Sequence, residues 1–545
     1  MAANYDFDWI VIGSGFGGSV SALRLTEKGH RVAVLECGRR FRDEDLPRSA
    51  WQLGRMFWAP KLGLKGIWRL TKFKDVFILS GSAVGGGSLA YAATLYRAPS
   101  AYFQHPQWRD LADWESRLAP HYDTAERMLG VNIVPFDSEG DRILKDIGEH
   151  LGCADTFRKT PVGIYFGKPR VTVPDPYFGG EGPARTGCHR CGACMMGCPY
   201  GAKNTLVRNY LYLAEKKGAQ VIAERMVTDV RPIGAADGAD GYVVTHERSG
   251  RWWAKDRQTL TARGVVFAAG ALGTNRLLAA CKHGGGLPGI SSQLGELVRT
   301  NSETMLAVTF PRDENTAQSV AITGSIFPDA QTHIEMVTFG KDADAMSLMF
   351  GLMTGDGSRI TRPLRALGAV IRHPLTFVRR LWPVGWSRRT VVIGLMQTAD
   401  NAMRFLARRG ITGRVRLQTT QDTKHPIPTF FPIANEMTGW LAKKTGGVAQ
   451  SFLFEALFNT PTTAHILGGA VIGKDTEHGV INERQEVYGY RNLLVCDGAA
   501  VPANPGVNPS LTITAMAECA MSAIPPRDGS SVASIATDRS VPSSV

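Results

Sequence analysis

The chain has 545 residues, 44% of them apolar, and carries a formal net charge of +13. This length supplies roughly two to four domains' worth of core, which excludes a single small domain, and no stretch is long and apolar enough to span a bilayer. The N-terminus lacks a signal-peptide pattern, so we expect a cytoplasmic protein whose nine cysteines form no disulfide framework. The positive charge favours an acidic partner, such as nucleic acid or anionic lipid, and equally fits a basic enzyme without one.

The first elements follow the pattern of a dinucleotide-binding unit. A buried strand is predicted over 9–12, followed by Gly13-Ser-Gly15-Phe-Gly-Gly18 and a helix over 19–28. Gly13 allows the tight turn, Gly15 lets the backbone approach a pyrophosphate, and Gly18 lets the helix pack closely on the strand. A second strand, 31–35, ends at Glu36, whose carboxylate can accept hydrogen bonds from ribose hydroxyls. This unit predicts a bound dinucleotide and leaves NAD and FAD both open.

Two segments, 51–74 and 362–389, mix basic and aromatic residues. Tryptophan beside lysine or arginine is typical of peripheral membrane contact, and the alternative is a lid over a pocket with a solvated basic face. Proline and glycine interrupt any long helix in both segments, so neither segment is predicted to be a clean amphipathic helix. No zinc finger, helix-turn-helix or RNA-binding motif accompanies them, so we expect no nucleic-acid partner.

Three further segments have residues typical of tight turns or of a close approach of the backbone to a ligand or to another part of the chain. The first is a glycine-rich run, Gly81-Ser-Ala-Val84-Gly85-Gly86-Gly87-Ser88. The second is an apolar strand that runs into a helix start at Ala268-Ala269-Gly270. The third, near the end of the chain, combines Val495-Cys-Asp497-Gly498 with Gly506-Val-Asn508-Pro509. Each segment alone is compatible with a loop of purely structural use.

A cysteine run lies between the first and second of these segments. Cys188, Cys191, Cys194 and Cys198-Pro have the spacing by which bacterial ferredoxins hold iron–sulfur clusters. In that pattern the fourth cysteine serves a second cluster, and no second run is present to complete either set. The run therefore predicts either an iron–sulfur cluster beside the cofactor or a Gly/Cys turn that packs under it.

The four landmarks outside the cysteine run, in this order, resemble the glucose–methanol–choline (GMC) oxidoreductase family, and most of all its cholesterol oxidase branch with non-covalent FAD. The resemblance covers nearly the whole length. It implies an α/β fold, in which a Rossmann-type FAD-binding domain carries an α+β substrate domain with a mainly antiparallel sheet. Two departures stand out: Tyr91 takes the place of an asparagine, and the family's His-Pro-Leu-Gly-Gly segment is His465-Ile-Leu-Gly-Gly here.

The resemblance also assigns the residues that surround FAD. These are Gly13, Gly15, Phe16, Gly18, Glu36, Gly81, Val84, Gly85, Gly86, Gly87, Ser88, Val227, Ala269, Gly270, Asp497, Gly498, Asn508 and Pro509.

Three side chains are candidates for the chemistry. His465 and Asn508 match the pair that GMC enzymes place at the flavin face, where the histidine takes the hydroxyl proton and the second group orients the alcohol. The alternative for His465 is a structural histidine before a Gly-Gly turn. Glu335, in the predicted strand 332–337, resembles the carboxylate that shuttles a proton when cholesterol oxidases move the steroid double bond. The alternative for Glu335 is a solvent-facing side chain on a half-exposed strand.

The domain arrangement is expected to be discontinuous. Residues 1–101, 182–300 and 462–524 should form the FAD-binding domain, 301–461 the substrate domain and 102–181 a helical cap. A tail from 525 to 545 is predicted to be disordered.

These patterns favour oxidation of a hydrophobic alcohol by hydride transfer to FAD, with a sterol 3β-hydroxyl as the first candidate and oxygen or a redox partner as acceptor. A second hypothesis is a dehydrogenase of another long-chain alcohol that passes electrons to a partner through an iron–sulfur cluster. A third is a flavoprotein electron carrier without a substrate.

Overall fold

The computed structural model describes residues 5–410, 415–422 and 424–527. The predicted disordered tail lies outside the described residues from residue 528 onward. The helices are α1 (Phe16–Glu27), α2 (Leu53–Met56), α3 (Gly87–Ala90), α4 (Ser100–Phe103), α5 (Trp114–Leu129), α6 (Glu139–Leu151), α7 (Tyr210–Lys216), α8 (Gly270–Gly284), α9 (Thr361–Arg372), α10 (Pro374–Leu381), α11 (Pro432–Thr445), α12 (Leu453–Phe458) and α13 (Ser510–Ser522).

The strands are β1 (Phe7–Ile12), β2 (Val32–Leu35), β3 (Trp58–Ala59), β4 (Leu64–Lys65), β5 (Trp68–Lys72), β6 (Phe77–Gly81), β7 (Asn132–Ile133), β8 (Arg158–Lys159), β9 (Pro161–Val162), β10 (Thr172–Val173), β11 (Arg185–Thr186), β12 (Gln220–Ile222), β13 (Arg225–Pro232), β14 (Tyr242–Arg248), β15 (Gln258–Phe267), β16 (Thr304–Thr309), β17 (Ile322–Asp329), β18 (Thr332–Thr338), β19 (Phe350–Leu352), β20 (Thr390–Gln397), β21 (Met403–Arg409), β22 (Val415–Gln421), β23 (Val448–Phe452), β24 (Thr462–Thr463) and β25 (Leu493–Val495).

The first large sheet is the dinucleotide-binding layer. Its strands lie in the order β12-β2-β1-β15-β14-β13, and β25 also pairs with β15. The strands β12, β2, β1, β15 and β25 run parallel, whereas β14 and β13 extend the sheet antiparallel. Parallel strands are covered on both faces, which is why β2 is buried at every residue and reads as an unbroken apolar run.

The turn from β1 into α1 depends on glycine at two positions. Gly13 has a φ of +101°, a conformation that side chains disfavour. A Cβ on Gly17 would stand 1.5 Å from the carbonyl oxygen of Cys496, so the helix start packs directly against the chain that follows β25. Glycine therefore ties the first and last parts of the sequence together at the carboxyl end of the sheet.

The second large sheet is antiparallel throughout, in the order β19-β23-β16-β20-β18-β17-β8. One face packs against α6 and α11 around a core that includes Ile334, Met336 and Ile393. Side chains alternate along a strand, so Glu335 and Val337 of β18 point to the opposite face. The two sheets together confirm the predicted fold class.

The segment 102–181 contributes to both layers. Helix α5 packs against α13 beside the dinucleotide layer, and α6 packs against β17 and β18 of the second sheet. Strand β8 forms the edge of that second sheet by pairing with β17.

The second basic and aromatic segment contains two short helices. Residues Thr361–Arg372 and Pro374–Leu381 form α9 and α10, each of which is amphipathic, and the predicted interruption of a long helix falls between them at His373. The residue before a proline avoids the helical conformation, while proline itself suits a first helical turn. Among the described residues, no helix is long and apolar enough to cross a bilayer.

Candidate active site

A large cavity of about 1250 Å³ lies between the two sheets. One end is formed by the turn after β1 and by the start of α8, and the other by the inner face of the antiparallel sheet. The candidate cofactor and substrate residues therefore share one continuous space.

Most of the predicted cofactor residues line this cavity: Gly13, Gly15, Phe16, Glu36, Gly81, Gly86, Gly87, Val227, Ala269, Gly270, Gly498, Asn508 and Pro509. Five others are not brought to its wall: Gly18, Val84, Gly85, Ser88 and Asp497.

These five support the wall from behind. Val84 is fully buried, and the Ser88 hydroxyl donates to the carbonyl of Gly85 at 2.7 Å. The carboxylate of Asp497 accepts hydrogen bonds from the Thr274 hydroxyl at 2.5 Å and from the amide of Ala499 at 2.7 Å. Their role in this structure is to shape the backbone that faces the cavity.

Glu36 also has partners inside the protein. Its Oε2 accepts from the amide and hydroxyl of Ser14, at 3.0 and 2.7 Å, and its Oε1 accepts from the amide of Gly38 at 2.7 Å. The carboxylate thus holds the glycine-rich turn as well as facing the cavity, where a ribose hydroxyl would lie.

The cavity wall fits the anionic part of a dinucleotide. A Cβ on Gly86 would stand 2.7 Å from the Cα of Gly15, so the two glycine-rich runs meet and leave only backbone facing the cavity at that point. Arg69 and Arg276 also line the cavity, and neither forms an ion pair among the described residues. Burial and, to a smaller extent, the charge of Arg69 together lower the pKa of Arg276 to about 10. Two neighbouring guanidinium groups without a carboxylate suit phosphate oxygens.

At the other end of the cavity, His465 is held by a carboxylate that sequence reasoning missed. Glu303 Oε2 lies 2.6 Å from His465 Nδ1, and Glu303 Oε1 accepts from the amides of Ala464 and His465 and from the Thr463 hydroxyl. Burial acts to lower the pKa of His465, but the charge and hydrogen bond of Glu303 outweigh it, and the net shift is upward. Because Nδ1 is engaged, Nε2 is the nitrogen left for a ligand.

Asn301 joins the histidine to the asparagine turn. Its Nδ2 donates to the carbonyl of Val507 at 3.0 Å and lies 3.4 Å from His465 Nδ1, while its Oδ1 accepts from the amide of Gly506. This fully buried side chain was also missed, and it fixes where Asn508 enters the cavity. The Oδ1 atom of Asn508 is buried without a hydrogen-bond partner in the described structure, as expected of a group that awaits a ligand.

Glu335 reaches the same space from β18. It is 3% exposed, so the alternative of a solvent-facing side chain does not describe its position. Burial raises the pKa of Glu335 to about 7, and the Asn508 amide and the charge of His465 oppose that rise. Asn508 Nδ2 lies 3.4 Å from Glu335 Oε2, so the structure brings together all three side chains that the sequence nominated.

Much of the remaining wall at this end of the cavity is apolar. Met305, Phe350, Val392, Met396 and Phe452 line it from the second sheet and its edge. Tyr91, the residue that departs from the family pattern, also faces the cavity and packs edge-on against Phe16 with ring centroids 5.4 Å apart. The site can therefore surround a bulky hydrophobic molecule whose polar end meets His465 and Asn508.

The four cysteines of the predicted cluster line a small separate cavity. In the ranges that the structure describes, no group of three or more histidine, cysteine, aspartate or glutamate side chains is placed to hold a metal ion. The prediction of an iron–sulfur cluster at Cys188, Cys191, Cys194 and Cys198 is therefore not supported.

The alternative for this run, a structural turn, agrees with its contacts. The ammonium group of Lys203 donates to the carbonyls of Leu89, Tyr91 and Cys194, at 3.1, 2.6 and 2.8 Å. These bonds fasten the cysteine turn to the chain that follows the glycine-rich run.

Comparisons with known families agree with this geometry. A model of the FAD binding domain matches residues 8–62, and two models of GMC oxidoreductases match residues 184–285 and 429–517.

Several curated proteins are similar over most of the chain. A cholesterol oxidase of Mycobacterium tuberculosis is 49% identical over 95% of this chain and 91% of its own length. A cholesterol oxidase of Acinetobacter baumannii is 45% identical, over 96% and 95% of the two chains. A long-chain-alcohol oxidase of Arabidopsis thaliana is 24% identical over 94% of this chain and 66% of its own. Among solved structures, pyridoxine 4-oxidase from Mesorbium loti has a TM-score of 0.61 at 15% identity, covering 94% and 98% of the chains.

Proposed function

The chain belongs to the GMC oxidoreductase family, and on that premise we propose that it uses FAD to oxidise the 3β-hydroxyl of a sterol to a ketone. The observation that carries the chemistry is the convergence of His465, held by Glu303, with Asn508 at the end of a deep apolar cavity. The choice of a sterol rests on the two cholesterol oxidases that are 49% and 45% identical to this chain.

The chain's own residues have separate tasks in this proposal. FAD, when bound, supplies the acceptor for a hydride from the alcohol carbon. His465 Nε2 takes the hydroxyl proton, and Asn508 holds the same oxygen so that the carbon–hydrogen bond faces the flavin. Arg69 and Arg276 hold the diphosphate. Glu335 moves the double bond of the product. Its carboxyl group has a pKa of about 7, so it can take up and release a proton near neutral pH, and it lines the same cavity.

The test is an anaerobic spectrum of the purified protein with cholesterol added. We expect the flavin absorbance to bleach and to return when oxygen is admitted, with oxygen as the proposed acceptor. His465→Ala should slow the bleaching by a factor of roughly 100 to 10,000, because a positioned general base contributes that much. If long-chain alcohols bleach the flavin and cholesterol does not, the second hypothesis, a dehydrogenase of a long-chain alcohol, would take the place of the sterol oxidase. Bleaching by no alcohol would favour an electron carrier.

We also propose that α9 and α10 contact the membrane from which the sterol comes. Their apolar residues recur every three or four positions and are each more than half exposed: Ile360, Leu364, Leu367, Ile371, Leu375 and Val378. The exposed arginines Arg365 and Arg372 flank this stripe, which suits anionic headgroups. Helix α9 packs on β19, whose Phe350 lines the cavity, so the stripe adjoins the apolar end of the site.

Sedimentation with sterol-containing vesicles tests this contact. The double variant Leu367→Glu and Ile371→Glu should lose most of its vesicle binding, because two exposed apolar side chains that would enter the membrane interface become charged. Turnover of sterol dispersed in detergent should stay unchanged. Ile133→Glu, on an exposed apolar residue outside the stripe, is the matched control. Equal vesicle binding by the double variant and the control would refute the proposed surface.

A further inference from the structure

Glu335 has a histidine beside it on the same strand. His333 precedes it by two residues on β18, so both side chains point to the same face of the sheet. His333 is 2% exposed and Glu335 is 3% exposed. The distance between His333 Nε2 and Glu335 Oε1 is 3.7 Å.

The facing atoms of this pair lack other partners. Neither ring nitrogen of His333, nor Oε1 of Glu335, has a partner within normal hydrogen-bond distance in the described structure, although the Gly506 backbone lies close enough to the imidazole to influence its pKa. Oε2 of Glu335 faces the Asn508 amide. Buried polar atoms are nearly always paired, and hydrogen bonds in active sites often tighten only when the substrate is bound. At 3.7 Å, Nε2 of His333 and Oε1 of Glu335 are a small shift away from hydrogen-bond distance.

The imidazole ring is fixed in its direction by aromatic neighbours. Phe327 stacks on it with ring centroids 4.7 Å apart, and Tyr96 meets it edge-on at 4.8 Å. The Tyr96 hydroxyl is itself held by Ser325 Oγ at 2.7 Å. Such packing holds Nε2 toward the carboxyl group of Glu335 and leaves the ring little freedom to turn away.

Burial also decides the charge of the pair. It lowers the pKa of His333 to about 3, with the backbone of Gly506 opposing that shift and the charge of His465 adding to it. Burial raises the pKa of Glu335, which the Asn508 amide and His465 oppose and the carboxylate of Glu303 reinforces. The imidazole is therefore neutral at working pH, while the carboxyl group gains and loses a proton.

We propose that His333 is a positioning residue that donates Nε2–H to Oε1 of Glu335 and keeps the transferable proton on Oε2. The inference rests on the proposed isomerase role of Glu335. In that role Oε2 removes a proton from carbon 4 of the 3-keto-5-ene steroid, and the electron pair of that bond spreads into a dienolate. The same proton then bonds to carbon 6, and the double bond becomes conjugated with the ketone. Oε1 accepts a hydrogen bond in both stages, so one fixed donor serves both.

The experiment separates isomerisation from oxidation by supplying the unconjugated 3-ketone directly and following the absorbance of the conjugated enone. His333→Phe keeps an aromatic ring between Phe327 and Tyr96 but removes the donor, and we expect isomerisation to slow roughly tenfold or more. The acid limb of the pH profile of isomerisation should move to higher pH in His333→Phe, because the Glu335 carboxylate loses a hydrogen-bond donor that stabilises it. His333→Gln restores an N–H donor and should recover most of the rate. Flavin reduction by cholesterol should change by less than about twofold in both variants, as a change confined to the Glu335 proton leaves that step intact.

The possible results are distinct. Isomerisation that Glu335→Gln abolishes, but that keeps its wild-type rate and pH profile in His333→Phe, would overturn the inference and leave the proposed function standing. A wild-type enzyme that does not isomerise the ketone would overturn both the isomerase role and the inference. If His333→Phe loses its flavin, His333→Leu replaces it. An acid limb of isomerisation that lies at the same pH in His333→Leu and His333→Gln would then overturn the inference.

Discussion

Glu303 and His465 form their contact at 2.6 Å across 162 positions of sequence. Nothing in the local sequence around Glu303 distinguishes it from a surface carboxylate, because it precedes β16 without any motif. His465 could be nominated from its glycine-flanked context, whereas its partner could not. Hydrogen bonds between distant segments leave no periodic signal in sequence, so carboxylates such as Glu303 emerge only when the chain is folded.

Glu303→Gln should change the pH dependence of alcohol oxidation in a specific direction. A general base works when unprotonated, so the rate of flavin reduction rises with pH through the pKa of His465. Burial lowers that pKa, and the charge of Glu303 raises it above the ordinary value. The variant keeps a hydrogen-bond acceptor but loses the charge, so the acid limb should move to lower pH, with a maximal rate about tenfold lower. Stopped-flow reduction at a series of pH values measures both.

Glu296→Gln is the matched control, since that carboxylate pairs with Arg404 away from the histidine. An acid limb in Glu303→Gln that coincides with the wild-type limb would contradict the assignment of the titrating group to His465.

At the scale of elements, β18 shows what the alternation of side chains between the two faces of a strand can and cannot predict. The sequence predicts a strand at 332–337, and the structure has it at Thr332–Thr338. Alternation also separates Ile334 and Met336 from Glu335 and Val337. It does not say which face meets the core, because a buried carboxylate and an exposed one give the same pattern. Packing of α6 and α11 on one face leaves Glu335 on the cavity face.

Helix α9 depends on a buried arginine at its first turn. Arg362 is 2% exposed, and its guanidinium donates to the carbonyl of Thr429 at 2.5 Å and to Asn459 Oδ1 at 3.1 Å. Arg362 also lies near Glu455. Burial raises the pKa of Glu455 to about 8, and the positive charge of Arg362 opposes that rise. These contacts of Arg362 hold the first turn of α9 against the antiparallel sheet. The opposite face of the helix can therefore stay apolar and exposed.

Arg362→Met should therefore destabilise the protein by about 3 kcal/mol, since it leaves the Thr429 carbonyl and Asn459 Oδ1 without their buried donor and removes the positive charge near Glu455. Urea unfolding followed by circular dichroism gives this free energy. Arg372→Met, on an exposed residue of the same helix, should change the free energy of unfolding by less than about 0.5 kcal/mol. A buried-arginine variant as stable as this control would show that the base of α9 is not held in this way.

At the scale of the whole molecule, the cavity joins segments that are far apart in the chain. Its wall combines the turns after β1, β6 and β15 with the inner face of the antiparallel sheet and the turn at Asn508. A cofactor bound there touches both layers. Ligands that bind only the folded state stabilise it by mass action, so flavin content and stability should change together.

Arg276→Gln should release FAD more readily than the wild type, because one of two unpaired guanidinium groups facing the diphosphate is lost. We expect roughly a tenfold to hundredfold weaker affinity for FAD, as for removal of a charge-assisted hydrogen bond. Fluorescence of released flavin measures the affinity, and the midpoint of thermal unfolding should fall and recover when FAD is added.

Arg257→Gln, on an exposed arginine at the rim of the same cavity, should leave both values near wild type because solvent screens its charge. Riboflavin, which lacks the diphosphate, should bind the wild type and Arg276→Gln alike. An unchanged affinity for FAD in Arg276→Gln would exclude the guanidinium pair as the diphosphate site.

The sequence by itself determined the local elements of this protein and their order. The glycines of the first turn, the apolar strands and the segments from Gly81 to Pro509 follow from backbone conformation and side-chain periodicity, which are properties of neighbouring residues. Only the tertiary structure decided which groups meet: Glu303 with His465, His333 with Glu335, Arg69 with Arg276, and an exposed apolar stripe on α9 and α10. Among the described residues it also withdrew support from the cysteine cluster, because spacing along a chain does not determine whether four thiols take up the geometry of metal ligands. These features depend on desolvation and contact between distant segments, and both arise only when the two sheets close around one cavity.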